Sequence, residues 1–179
     1  RSLARNLLLE IENRGQQATG YAFVNEGTKK VHLSKAPIRA SEFIRSPGNL
    51  LTKAQSMPRT LLLHTRYATQ GSPDNNENNH PLYSKASGLC MIHNGWFTND
   101  DAVAKDEELK CDAEVDSEVY LRMVDKLYLE DKTRSIPDCI KVASSKFYGN
   151  LAAAAIKAGK PDTLWVWRAE GNLAIVETS

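Results

Sequence analysis

Leu3, Leu7, Leu8 and Ile11, with Ala4 beside them, recur at helical spacing and predict an opening helix that Gly15 stops. Strand-like segments follow around Gly20 to Val24 and Lys30 to Leu33, joined by the turn Asn25-Glu26-Gly27. A short helix is expected over Ser41 to Ser46 and a buried strand over Thr60 to His64. From Tyr67 to Pro81 the chain carries almost nothing apolar, which reads as a long polar loop of the kind that usually serves function. Another strand spans Leu89 to His93. A helix from about Asp116 to Glu130 carries Val119, Met123, Val124 and Leu127 on one face. Ser135 can cap a further helix through Ile140 and Val142, with Pro137 in its first turn. The tail reads as three strands: alanine-rich Leu151 to Ile156, then Thr163 to Trp167, then Leu173 to Val176, with turns at Gly159 to Asp162 and Glu170 to Asn172. Alternation puts Trp165 and Trp167 opposite Leu164 and Val166. Helices and strands come in blocks, so the class is α+β with largely antiparallel sheet.

The length of 179 residues, without repeats or a linker-like stretch, suits one domain over residues 1–179. Lys and Arg total 23 against 22 for Asp and Glu, so nothing in the charge points to nucleic acid or an anionic membrane as the main partner. No apolar run approaches the roughly 20 residues that span a bilayer. The opening Arg-Ser-Leu-Ala-Arg-Asn lacks the features of a signal peptide, and three scattered cysteines make no disulfide framework. A cytoplasmic setting is the expectation.

Four segments could carry chemistry. Arg66, at the end of a strand, is either a solvated surface charge or a planar fork for a carboxylate, with Thr69 adding a hydroxyl. Asn94-Gly95 is either a type I′ hairpin turn or a pair of donors, side-chain amide and backbone N–H, aimed at a developing alkoxide. The polar, helix-start-like sequel Trp96 to Asp100 weakens the hairpin reading. Asp116 is either a helix N-cap or a carboxylate for a ligand ammonium group, and one residue can do both. Arg14 to Gly20 is the fourth segment. A zinc site from His64, His80, Cys90 and His93 is disfavoured, because Cys90 and His93 are an odd offset apart on a strand and point to opposite faces. No motif for a nucleotide or other cofactor is present.

Together these segments resemble the class II glutamine amidotransferase domain of the N-terminal nucleophile hydrolase superfamily. That family runs Arg-Gly-x-Asp-(Ser/Ala)-x-Gly, His-Thr-Arg-Trp-Ala-Thr-x-Gly, His-Asn-Gly and a Ser-Asp-(Ser/Thr)-Glu-like segment. This chain has Arg14 to Gly20, His64 to Gly71, His93 to Gly95 and Glu114 to Glu118 in that order, with Gln17 in place of the aspartate and Val115 in place of the serine. The resemblance implies a four-layer αββα sandwich of two mainly antiparallel sheets between helices. It implies hydrolysis of the glutamine side-chain amide, with the ammonia passed to a synthase domain or subunit. Arg66 and Thr69 would hold the α-carboxylate of L-glutamine, Asp116 its ammonium, and Asn94 with Gly95 the oxyanion. Tyr67 stands at the family's tryptophan, in a loop that closes over glutamine, and His80 matches a histidine that supports that loop.

The family's nucleophile is an N-terminal cysteine whose own amino group acts as base. This sequence starts with Arg1, at the first helix. The expectation is a cysteine on a strand just upstream, absent from these residues. The alternative is a domain that has lost turnover and serves as a glutamine sensor or interaction module. Another amide with a γ-glutamyl group would also satisfy Arg66 and Asp116. Cys90, within an apolar strand, reads as an inert core thiol.

Overall fold

The computed structural model describes residues 2–47 and 58–177; Arg1 lies outside them. Two antiparallel sheets pack face to face. The first has the order β2-β1-β3, from β1 (Ala18–Val24), β2 (Val31–Ala36) and β3 (Leu61–Arg66). The second has the order β4-β5-β6-β7, from β4 (Leu82–Tyr83), β5 (Leu89–Phe97), β6 (Gly149–Lys157) and β7 (Lys160–Ala169). Helices α1 (Ser2–Ile11) and α2 (Ala40–Phe43) cover the outer face of the first sheet. Helices α3 (Asp100–Asp106), α4 (Asp116–Glu130) and α5 (Ile136–Ser144) cover that of the second. The result is the αββα arrangement.

Strand β1 shows why the layers form. Every residue from Ala18 to Val24 is buried. Tyr21 and Phe23 point to α1 and α2, where Tyr21 meets Phe43 edge-on at 5.9 Å between ring centres. Ala22 and Val24 point the other way, into the seam with Leu62, Cys90 and Ile156. A central strand covered on both faces is largely apolar, and its buried Thr19 donates its hydroxyl to the Ile38 carbonyl at 2.8 Å. On α4, Val119, Met123, Val124 and Leu127 are buried against the second sheet as their spacing requires. Ser135 caps α5 by accepting the Asp138 N–H at 3.2 Å, with Pro137 in the first turn. Trp165 and Trp167 pack on this core while Leu164 and Val166 stay part-exposed.

Several expectations need correction. On α1 the buried stripe is Ala4, Leu8 and part of Ile11, and Leu3 and Leu7 face outward at 65% and 45% exposure. Asn94-Gly95 is not a hairpin turn: β5 runs through it and pairs with β6 as far as Phe97 with Gly149. Asp116 is not the N-cap. Val115 holds that position, and Asp116 is the first helical residue. Strand β7 starts at Lys160, so the turn before it is confined to Ala158-Gly159. Residues 173–176 form no strand, and Ile175 and Val176 are exposed. Among the described residues no strand pairs with this apolar run, and a lone strand is not stable. Among the described residues no helix is long and apolar enough to cross a membrane.

Candidate functional site

The end of β3, the polar loop after it, the middle of β5 and the start of α4 converge on one cavity of about 310 Å³. Arg66, Tyr67, Thr69 and His80 line it from the first sheet and the loop. Asn94, Gly95 and Asp116 line it from the second sheet and α4. Arg66, His80 and Asp116 are buried, while Tyr67, Thr69 and Asn94 are exposed at the mouth, Tyr67 at 73%.

Arg66 is held by the loop that follows it. Its Nη1 donates to Asn79 Oδ1 at 2.8 Å, and its Nη2 donates to the carbonyls of Gln70 and, at 3.1 Å, Gly71. These bonds occupy three of the five guanidinium N–H groups and leave Nε–H and one Nη1–H facing elsewhere. Burial lowers the Arg66 pKa, and the nearby Asp116 carboxylate works against that shift. Asn79 is fully buried and donates in turn to the Pro73 carbonyl at 2.7 Å and to Asn76 Oδ1 at 3.2 Å. Its neighbour Asn78 ties the loop to the segment before α4, accepting the Glu114 N–H at 2.8 Å. The long loop is thus a polar scaffold that fixes one cation.

The backbone under Arg66 depends on the first segment. A Cβ on Gly15 would lie 2.2 Å from the Arg66 carbonyl carbon, so only glycine lets the chain after α1 approach β3 this closely. Gln17 donates its N–H to the Arg66 carbonyl at 3.1 Å and accepts the Ala68 N–H at 2.6 Å.

Asp116 accepts from Ser117 N at 2.7 Å on Oδ1 and from Phe97 N at 2.9 Å on Oδ2. Gln70 Oε1 accepts the Asp116 N–H at 3.2 Å, so the loop that holds Arg66 also touches the start of α4. On β5, alternation turns His93 toward α4 and Asn94 toward the first sheet. Gly95 has φ +148°, and a Cβ there would lie 1.9 Å from the Asn150 carbonyl oxygen. Both conditions demand glycine. Cys90 lies in the seam between sheets, where burial pushes its thiol far up, and it does not line the cavity. Among the described residues no group of three His, Cys, Asp or Glu is arranged to hold a metal ion.

Motif reasoning missed Gln70, Asn78, Asn79 and Ser117, and it weighed His64 and His93 only as metal ligands. The density of asparagine in the polar loop was the available signal for Asn78 and Asn79. His64 and His80 lie 4.5 Å apart between ring centres beside the cavity, and burial lowers the pKa of both, that of His64 from 6.5 to about 4. A neutral buried histidine takes up fewer protons than it does in the unfolded chain. Its contribution is whole above pH 6.5 and is lost as pH falls toward 4, by roughly 3 kcal/mol for His64 alone. Unfolding free energy measured by denaturant should therefore drop steeply from pH 6.5 to 4.5, and less so in His64→Phe. Identical pH profiles for the two proteins would contradict this assignment.

No family model matches the sequence. Curated relatives do. The glutamine–fructose-6-phosphate aminotransferase of Chlorobaculum tepidum is 25% identical over 176 residues, 97% of this chain and 28% of that protein. The enzyme of the same name from Aquifex aeolicus is 30% identical over 160 residues, 88% of this chain and 25% of that protein. This chain thus spans only about a quarter of the length of the relatives it matches. Among solved structures, the glutamine phosphoribosylpyrophosphate amidotransferase of B. subtilis superposes with a TM-score of 0.66 at 22% identity, over 84% of this chain and 31% of that one. A structure described as the allosteric regulatory enzyme of purine biosynthesis gives 0.68 at 22% identity, over 87% and 32%. At that identity the structures speak for the fold, and the aligned relatives for the lineage. In sequence and in fold this chain is similar to the class II glutamine amidotransferase domains of the N-terminal nucleophile hydrolase superfamily.

Proposed function

We propose that this domain hydrolyses the side-chain amide of L-glutamine to glutamate and ammonia, and that a synthase domain or subunit consumes the ammonia. One observation carries the reading: a fixed cation, a fixed anion and an Asn-Gly pair of donors line the same cavity. Free glutamine presents one carboxylate, one ammonium and one amide. In this reading the remaining N–H groups of Arg66, with the Thr69 hydroxyl, take the α-carboxylate, and Asp116 takes the ammonium. That orientation brings the amide to Asn94 and Gly95. Tyr67 closes the mouth, and His80 supports the loop from below.

The nucleophile in this reading is a cysteine at the start of a strand that precedes Arg1. Its thiolate attacks the amide carbon, and Asn94 Nδ2 with the Gly95 N–H stabilises the tetrahedral oxyanion. The C–N bond breaks as the nitrogen takes the proton that the thiol gave to the α-amino group, and ammonia leaves. Water then attacks the thioester, the C–S bond breaks, and glutamate leaves with the thiol restored. Two features support a strand in that place. The outer edge of β3 has no strand partner among the described residues. Beside it, Ile92, Ala152, Ala154 and Val166 line a second cavity of about 210 Å³ that borders His64 and Asn94. A strand added to β3 would cover this apolar floor and end at Asn94. Residues 1–179 together with that strand would make one domain. Three free cysteines suit the reducing cytoplasm.

The test is ammonia release from L-glutamine by the intact native protein, with mass spectrometry of its N-terminus. A processed N-terminal cysteine, and loss of ammonia release when it is replaced by alanine, are the expected results. Glutamine binding without ammonia release would instead identify a sensor.

A further inference from the structure

We propose that His93 and Ser117 form a hydroxyl switch that sets how many acceptor sites Asp116 offers to the ammonium group of an amino-acid ligand. This deepens the glutamine-binding reading and rests on it. The argument is a count of protons. Ser117 Oγ lies 2.8 Å from His93 Nδ1 and 3.1 Å from Asp116 Oδ1, and it has one hydrogen to give. On the far side of the ring, His93 Nε2 lies 3.3 Å from the Asn150 carbonyl oxygen, which can only accept. A neutral His93 with its hydrogen on Nε2 therefore takes the Ser117 hydroxyl as donor at Nδ1, and Asp116 Oδ1 keeps only the Ser117 N–H. If Nδ1 carries a hydrogen, the direction reverses: His93 donates to Ser117, and Ser117 donates to Asp116 Oδ1. Asp116 then has three of its roughly four acceptor sites filled by protein instead of two.

The surroundings favour the first state. His93 is buried and stacked on Phe97 at 5.0 Å between ring centres. Burial lowers its pKa, and Asp116 and the bond to the Asn150 carbonyl work the other way. His93 in turn works on His64 from β3 and His80 from the loop, whose pKa values burial also lowers. Ser117 itself is buried, at 3% exposure. His93 touches no ligand in this account. It is a positioning residue that acts through Ser117.

The experiment measures binding of L-glutamate and of glutarate, which lacks the amino group, to the full protein at pH 7.5. His93→Leu leaves the Ser117 hydroxyl only Asp116 to bond, so affinity for L-glutamate should fall five- to tenfold while that for glutarate stays within twofold. Adding Ser117→Ala should restore L-glutamate binding to within twofold of wild type. A double variant as weak as His93→Leu, or equal losses for both ligands, overturns the switch. The wild-type imidazole ¹H–¹⁵N spectrum tests it without any substitution. A neutral His93 protonated at Nε2 is expected, and an Nδ1–H tautomer or an imidazolium overturns the proposal. Wild type that binds neither ligand refutes the glutamine reading and the switch with it, whereas L-glutamate binding without rescue by Ser117→Ala refutes the switch alone.

Discussion

Arg66→Ala should raise the KM for L-glutamine by about a hundredfold or more, the equivalent of roughly 3 kcal/mol of lost binding. The size follows from the site. Arg66 is buried, and its charge is fixed by Asn79 and by the carbonyls of Gln70 and Gly71 before any ligand arrives. A carboxylate that docks on such a preorganised cation meets little reorganisation cost. The substitution has a second effect, because it leaves Asn79 Oδ1 and two loop carbonyls without their donor, at about 1 to 3 kcal/mol for each that stays buried. Stability must therefore be measured beside the kinetics. Arg66→Lys separates the two effects poorly but usefully: one ammonium group cannot serve three protein acceptors and a ligand, so KM should still rise more than tenfold. An unchanged KM in Arg66→Ala would remove the α-carboxylate from this end of the cavity.

The second large effect belongs to Asn94. Asn94→Ala should lower kcat by about 10² to 10³, some 3 to 4 kcal/mol, with KM changed only a few-fold. Its side chain is exposed at the cavity and no protein hydrogen bond among the described residues engages it. Its removal therefore leaves the packing intact and takes away a donor that matters only as negative charge develops. Gly95 cannot be probed so cleanly. Any side chain there meets the Asn150 carbonyl and an unfavourable φ, and the β5–β6 pairing would shift. Single-turnover kinetics at saturating glutamine reads the Asn94 effect directly. A kcat within a few-fold of wild type would mean that the oxyanion forms elsewhere.

Much of this molecule could be read from its residues. The blocks of strand-like and helical spacing gave the α+β class with largely antiparallel sheet, the resemblance implied the four layers, and α4 buries the face that its spacing marks. Where pairing partners decided, local pattern failed. Asn94-Gly95 has the composition of a turn, yet β6 supplies partners past it and the strand continues. Residues 173–176 are apolar like a buried strand but pair with no strand among the described residues. The candidate site shows the same division. Arg66, Asn94 and Asp116 each had a functional reading beside a structural one, the family resemblance joined them into one site, and the structure lines one cavity with them. The network behind them was not legible. Nothing in the sequence says that Asn79 rather than Asn75 or Asn76 would hold the guanidinium, or that Ser117 would sit between Asp116 and a histidine two dozen residues away. Those partners depend on how the long loop and α4 fold over the sheet ends, which no local periodicity encodes.

The most direct measurement is a crystal structure with L-glutamate bound. The account predicts the α-carboxylate on Arg66, the ammonium on Asp116 and the side-chain carboxylate against Asn94 and Gly95. Glutamate lodged outside this cavity, or lying in it with its two ends exchanged, would contradict the account.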